Sequence, residues 1–226
     1  MGNQRLDITG TLSPDMWSYR AMIPDMPRFE QRRFATIPEQ GWEADWFAMP
    51  TLAGTYLETA KHLIGDRLSI DQVPIDDLFV RATIATIPKQ ASEHITVSDL
   101  ESAVTELEPG DALLVSTGWE RHWWDDGSVF VGQSPHYDLS AMQWIVDRNV
   151  SILGGDFPCY DDPVTEQGQN VNMPLFESGA LILAPLVNLA KWSSHRAMLT
   201  VLPIPLKGAC GAPCRAILSP IEGAQE

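Results

Sequence analysis

Short apolar runs, more often alternating than helical in spacing, dominate the chain. "LDITGTL" alternates and predicts an opening strand, and "SPDMWSYRAMIPDMPRF" is a proline-punctuated loop bearing Trp17 and Tyr19. "WEADWFAMPTLAGTYLE" predicts a strand running into a tight turn at a glycine. "LFVRATIATIP" and "DALLVSTGW" predict buried strands, "VSILGGD" a strand that ends in glycines and Asp156, and "ALILAPL" and "HRAMLTVLPIPL" two more. Helical spacing is clearest in two places. "TVSDLESAVTELEPGD" opens on a Thr/Ser cap, places Val97, Leu100, Val104 and Leu107 on one face and stops at Pro-Gly. "DLSAMQWIVDRN" places Leu139, Met142, Ile145 and Val146 on one face. "MPLFESG" predicts a short helix closed by Gly179. Helices separate strands here, which predicts a single α/β domain over 1–226 with a β-rich core flanked by helices.

Composition narrows this picture. The chain has 226 residues, 44% of them hydrophobic, enough for one sizeable core. Its 17 prolines argue against a helical bundle. A formal net charge of −15 repels phosphate backbones and anionic lipid, so nucleic acid and membrane are not expected partners. No apolar run reaches the length of a membrane span and the first ten residues hold no apolar signal core, so a cytoplasmic location is expected. Cys159, Cys210 and Cys214 make neither a disulfide framework nor, without two further ligands, a zinc site. Eight tryptophans are many, and those in loops suggest an aromatic-lined pocket for a small molecule. Trp17, Trp46 and Trp119 are the expected walls.

The chemistry concentrates in "LAGTYLETAKH", residues 52–62. If a helix starts near Thr55, Glu58 and His62 stand at i and i+4 on one face, about 5–6 Å apart at Cβ. The carboxylate would then raise the histidine pKa and orient the ring for general acid–base work. Tyr56 could add a phenolic donor. The same spacing is also common for ion pairs on solvated helix faces. Of the other histidines, His122 could line an aromatic wall, while His94, His136 and His195 read as solvated or structural.

Several segments in order resemble the cyclase family that includes bacterial kynurenine formamidase and isatin hydrolase. They are "LDITGTLSPDM", "GTYLETAKH", "SIDQVPIDDL", "ITVSDLE", "EPGDALLVSTGW", "ILGGD", "LFESGALILAPLVNL" and "PLKGACGAPCRAI". The resemblance implies a single α/β domain, a homodimer or larger assembly, and a divalent metal such as zinc or manganese. That metal is held by a His-x-Gly-Thr-His-x-Asp-x-Pro-x-His signature. Here Gly54, Thr55 and the last histidine, His62, match. The metal histidines fall on Leu52 and Tyr56, the aspartate on Glu58 and the proline on Ala60. A later metal histidine falls on Asn172 and a later glutamate on Ala184.

Leu and Ala offer no lone pair, and Tyr and Asn replace imidazole poorly. The expectation is therefore a metal site without its metal: no cofactor, with Glu58, His62 and Tyr56 catalytic. Trp17, Thr55, Trp46, Trp119, Asp156 and Asn172 are the expected substrate contacts. The expected reaction is a cyclisation, dehydration or elimination, or lactone opening, on a small aromatic or polyketide-like molecule. Two alternatives stand beside it. One is a manganese- or zinc-dependent amide or lactam hydrolase using Glu58, His62 and Asp156, with Asp161 or Asp162 as a further ligand. The other is a binding protein without turnover.

Overall fold

The computed structural model describes residues 5–162 and 170–221. In chain order the elements are β1 (Leu6–Asp7), β2 (Glu30–Ala35), α1 (Ile37–Gln40), β3 (Ala44–Ala48), β4 (Tyr56–Glu58), β5 (Phe79–Thr86), β6 (His94–Ile95), α2 (Val97–Ala103) and β7 (Ala112–Ser116). They continue with α3 (Gly127–Phe130), β8 (His136–Tyr137), α4 (Leu139–Val146), β9 (Ile152–Gly155), α5 (Asn172–Ser178), β10 (Leu181–Ala184), β11 (Arg196–Pro203) and β12 (Gly211–Ser219).

Eight strands form the main sheet in the order β1-β12-β11-β5-β7-β9-β10-β4. β4 also pairs with β12, which closes the sheet on itself as a barrel. β1 and β4 share one edge of β12: Leu6 pairs with Leu218, and Glu58 with Gly211. The centre, β5-β7-β9-β10, is parallel, and these strands are buried on both faces. That is why they read as near-continuous apolar runs.

The two-residue period sorts their side chains into two cores. Ala82, Ile84, Ala112, Leu114, Ile152, Leu183, Leu199 and Ala216 fill the barrel interior. Leu113, Val115, Leu153 and Ile182 face outward, onto a layer that includes Leu100 of α2, Met142 and Ile145 of α4, and Leu175 of α5. Gly154 is needed inside, because a Cβ there would sit 2.4 Å from Leu114 Cδ2. The result is one domain with a barrel-like, sheet-rich core and few helices.

Most predicted elements are present, and β2, which follows the proline-punctuated stretch, pairs with β3 as a separate ribbon. Of the roles read for His136 the structural one holds, since it is buried on β8, paired with β6. Two readings change. α2 stops at Ala103, and Val104 is already extended, so the helix does not run on to Leu107. The predicted helix from Thr55 does not form. Tyr56–Glu58 is a strand, because β10 binds one of its edges and β12 the other, and Ala60–His62 is a single 3-10 turn.

Candidate active site

The turn before β4 is made by Gly54, whose φ of +66° suits glycine and whose missing side chain leaves room for Leu12. The strand then alternates: Leu57 enters the barrel core, while Tyr56 and Glu58 line a cleft of about 220 Å³ on the other face. Gly211 of β12 lets the two backbones close up at this point, since a Cβ on it would lie 2.8 Å from Leu57 O and 3.2 Å from Glu58 Cα. After β4, Thr59 caps the 3-10 turn by accepting from Lys61 N–H, and the turn brings His62 to the mouth of the cleft.

Glu58 and His62 do meet, by strand and turn rather than by a helix. His62 Nδ1 lies 3.3 Å from Glu58 Oε1, with the histidine side chain 42% exposed and the glutamate 7%. Cys210 Sγ sits 3.8 Å from the same nitrogen, so Nε2 is the free ring atom. Burial, helped by the negative charge of Asp161, pushes Glu58 up to about 8. Burial lowers His62, although Asp161 pulls the other way. The expected rise in the histidine pKa is thus reversed, because burial of the ring outweighs the pull of the nearby acidic group. Asp161 lines the same cleft and is raised by burial.

Beside Glu58, the hydroxyl of Tyr56 lies 2.9 Å from that of Tyr19, and Tyr19 donates to Pro158 O at 2.9 Å. Burial raises both phenols, so both keep their protons. Met22, Ile23, Met26 and Leu63 supply apolar wall, and Asn172 presents a buried Oδ1 with no hydrogen-bond partner.

The cleft therefore gathers Tyr56, Glu58, His62 and Asn172 from the expected set and leaves five residues elsewhere. Trp17 is buried among Tyr19, Trp123 and Phe130, so it braces Tyr19 from behind. Trp119 is buried and donates its indole N–H to Phe130 O. Trp46 lies on the outlying ribbon with the Arg32 guanidinium 4.6 Å over its ring. Thr55 Oγ1 is a joint, donating to Pro185 O and accepting from Gly10 N–H. Asp156 is fully buried and accepts from Thr117 N–H, Thr117 Oγ1 and Gly118 N–H. Tyr19 is the cleft residue that sequence reasoning did not select, and Asp161 entered only as a possible metal ligand. Neither has a periodic pattern around it that would mark it.

The metal implied by the family resemblance fits these residues poorly. Leu52 and Ala184 are hydrocarbon, and the Tyr56 hydroxyl is engaged with Tyr19. Among the described residues, no three His, Cys, Asp or Glu side chains come together as a metal-binding group.

Residues 6–162 match the Cyclase family. The chain belongs to that family. Isatin hydrolase A from Ralstonia solanacearum has a similar fold, with a TM-score of 0.82 at 19% identity, covering 95% of this chain and 91% of that one. The predicted metal-dependent hydrolase from Bacillus stearothermophilus gives a TM-score of 0.75 at 18% identity, covering 95% and 97%. An uncharacterized protein of Haemophilus influenzae is 27% identical over 114 residues, 49% of this chain and 80% of its own length. Family membership supports an enzyme with a cyclase role in general terms. No helix among the described residues is long and apolar enough to cross a membrane.

Proposed function

We propose that this cyclase-family enzyme works without a metal and moves protons through the Glu58–His62 pair. The observation that carries this reading is the 3.3 Å contact between a buried carboxyl and a half-exposed imidazole, with the carboxyl the weaker acid. Near pH 7 the pair is loaded. The Glu58 hydroxyl donates to Nδ1, and Nε2 carries a proton facing outward. When Nε2 gives that proton to a leaving oxygen, Nδ1 takes the one from Glu58. The pair is now a carboxylate and a neutral imidazole with a free Nε2 lone pair, which is a base. In a dehydration the C–O bond breaks and the hydroxyl leaves as water with the donated proton. A neighbouring C–H proton then returns to Nε2, a C=C bond forms, and the pair is reloaded. In a lactone opening Nε2 protonates the ring oxygen as its bond to the acyl carbon breaks, water adds to that carbon, and the proton the water gives up returns to Nε2; cyclisation is the reverse, with loss of water.

The substrate on this reading is a small molecule with an apolar, partly aromatic body. A panel of β-hydroxy carbonyl compounds, aryl lactones and isatin, the compound named for the similar hydrolases, finds the activity. His62→Ala and Glu58→Gln should each reduce turnover by about two to four orders of magnitude. Full activity in both variants would end the reading, as would near-stoichiometric zinc or manganese together with loss of activity on chelation. Turnover that depends on the loaded pair should fall as pH rises through about 8, the Glu58 value. The reading also takes the enzyme as a cytoplasmic homo-oligomer, with the exposed Phe34, Trp42 and Phe47 of the β2–β3 region at the contact. Sedimentation of the wild type and of Trp42→Ser checks the assembly.

A further inference from the structure

The hydrogen bonds around Tyr56 have a direction that the proton-transfer pair does not require. A phenol has one proton, and a carbonyl oxygen can only accept. Tyr19 lies 2.9 Å from Pro158 O and 2.9 Å from the Tyr56 hydroxyl. Its single proton goes to Pro158, so the bond between the two phenols is made with the proton of Tyr56. Both protons are engaged within the relay and neither is offered to a ligand. What Tyr56 shows to a ligand is a lone pair, not the donor expected from the sequence.

The rest of this end of the cleft has the same polarity. Asp161 lines it, and Asn172 Oδ1 is buried there without a partner. No lysine or arginine is among the described lining residues, and 163–169 and 222–226 contain none to contribute. Beside Tyr56 and Asp161 an anion would meet lone pairs and an acidic group and no cationic partner. An N–H or ammonium group would meet the Tyr56 lone pair, which the relay holds in place. The apolar wall of Met22, Ile23 and Met26 takes the other end of the molecule.

We propose that the Tyr56–Tyr19–Pro158 relay makes the floor of the cleft a reader of hydrogen-bond donors, so that the substrate carries an N–H group there, as an amide or as an ammonium, and no carboxylate. This rests on the proposed small-molecule activity of the same cleft, but it concerns recognition, not proton transfer. Tyr19 is a positioning residue in this scheme, since it acts through Tyr56.

The test is calorimetric binding of one-ring probes at pH 7, with no turnover required. N-methylbenzamide should bind about tenfold or more tighter than N,N-dimethylbenzamide, which lacks the N–H, and benzylamine tighter than benzoate by at least as much. The two arms separate the amide source of the donor from the ammonium source. Tyr19→Phe frees the Tyr56 proton to turn into the cleft, so the preference within the amide pair should vanish or reverse. Tyr56→Phe, which leaves the Tyr19–Pro158 bond intact, should abolish the preference without reversing it, and it serves if Tyr19→Phe does not fold. Equal binding of the two amides, a preference unmoved by both variants, or no binding of any probe overturns the proposal. A failed acid–base reading, seen in turnover, is therefore distinguishable from a failed donor reading, seen in affinity.

Discussion

Two buried carboxylates, Glu58 and Asp156, lie at the ends of strands in one barrel and have opposite surroundings. Asp156 follows β9 and receives three donors at 2.6–2.8 Å from the end of β7 and the turn after it. Glu58 ends β4 and has one ring nitrogen at 3.3 Å. Burial raises both, but the three donors hold Asp156 to about 6 while Glu58 reaches about 8. Burial alone does not make a carboxyl reactive. A satisfied one clasps two strands together, and an unsatisfied one beside a histidine is available for proton transfer.

The contrast can be broken most strongly in turnover. Glu58→Gln should lower it by about two to four orders of magnitude, while Thr117→Val, at the other carboxylate, should leave it within about twofold. Equal losses would mean that the two sites do the same work. Next comes stability. Asp156→Asn puts an amide NH₂ among three N–H and O–H donors and should destabilise the fold by about 3 kcal/mol in urea denaturation. Glu58→Gln, a neutral replacement for a neutral acid, should not destabilise it.

The pH dependence of stability separates the two further. A carboxyl whose folded pKa is raised binds more protons in the folded state than in the unfolded one, so stability declines as pH rises between the two values. For Asp156 that window runs from 3.8 to about 6, and for Glu58 from 4.5 to about 8. His62, lowered from 6.5, contributes with the opposite sign and only below that pH. The fall between pH 6.5 and 8 therefore belongs to Glu58 and should disappear in Glu58→Gln, as read by thermal unfolding across that range. The smallest effect is that of Thr117→Val, which removes a hydroxyl that donates to Asp156 and accepts from Trp119 N–H and should cost about 2 kcal/mol.

The sequence pattern made the central strands legible because they are buried on both faces, and α4 and α5 legible because cap and spacing agree. The Glu58–His62 contact was legible for a different reason from the one that produces it. "TYLETAKH" has helical character locally, and pairing with β10 and β12 overrides that character. Partners more than 100 residues away leave no trace in a local window. The tryptophans misled because loops that carry them fold over the core. Trp17 and Trp119 are packed there and do not face a ligand. The role of Asp156 depends on Thr117 and Gly118 of a neighbouring strand and turn, which no spacing around Asp156 reveals.

The shared edge of β12 has a consequence for synthesis. β1 and β4 are made early in the chain, yet the strand that covers them lies at 211–219, and Leu6 waits for Leu218. Until β12 has emerged from the ribosome, the barrel is an open sheet and β4 presents a bare row of amides. Such long-range closure slows folding and prolongs exposure to other unfinished chains. The same late strand completes the wall behind Glu58, so a nascent chain holds no finished cleft and acquires its chemistry only when the barrel shuts.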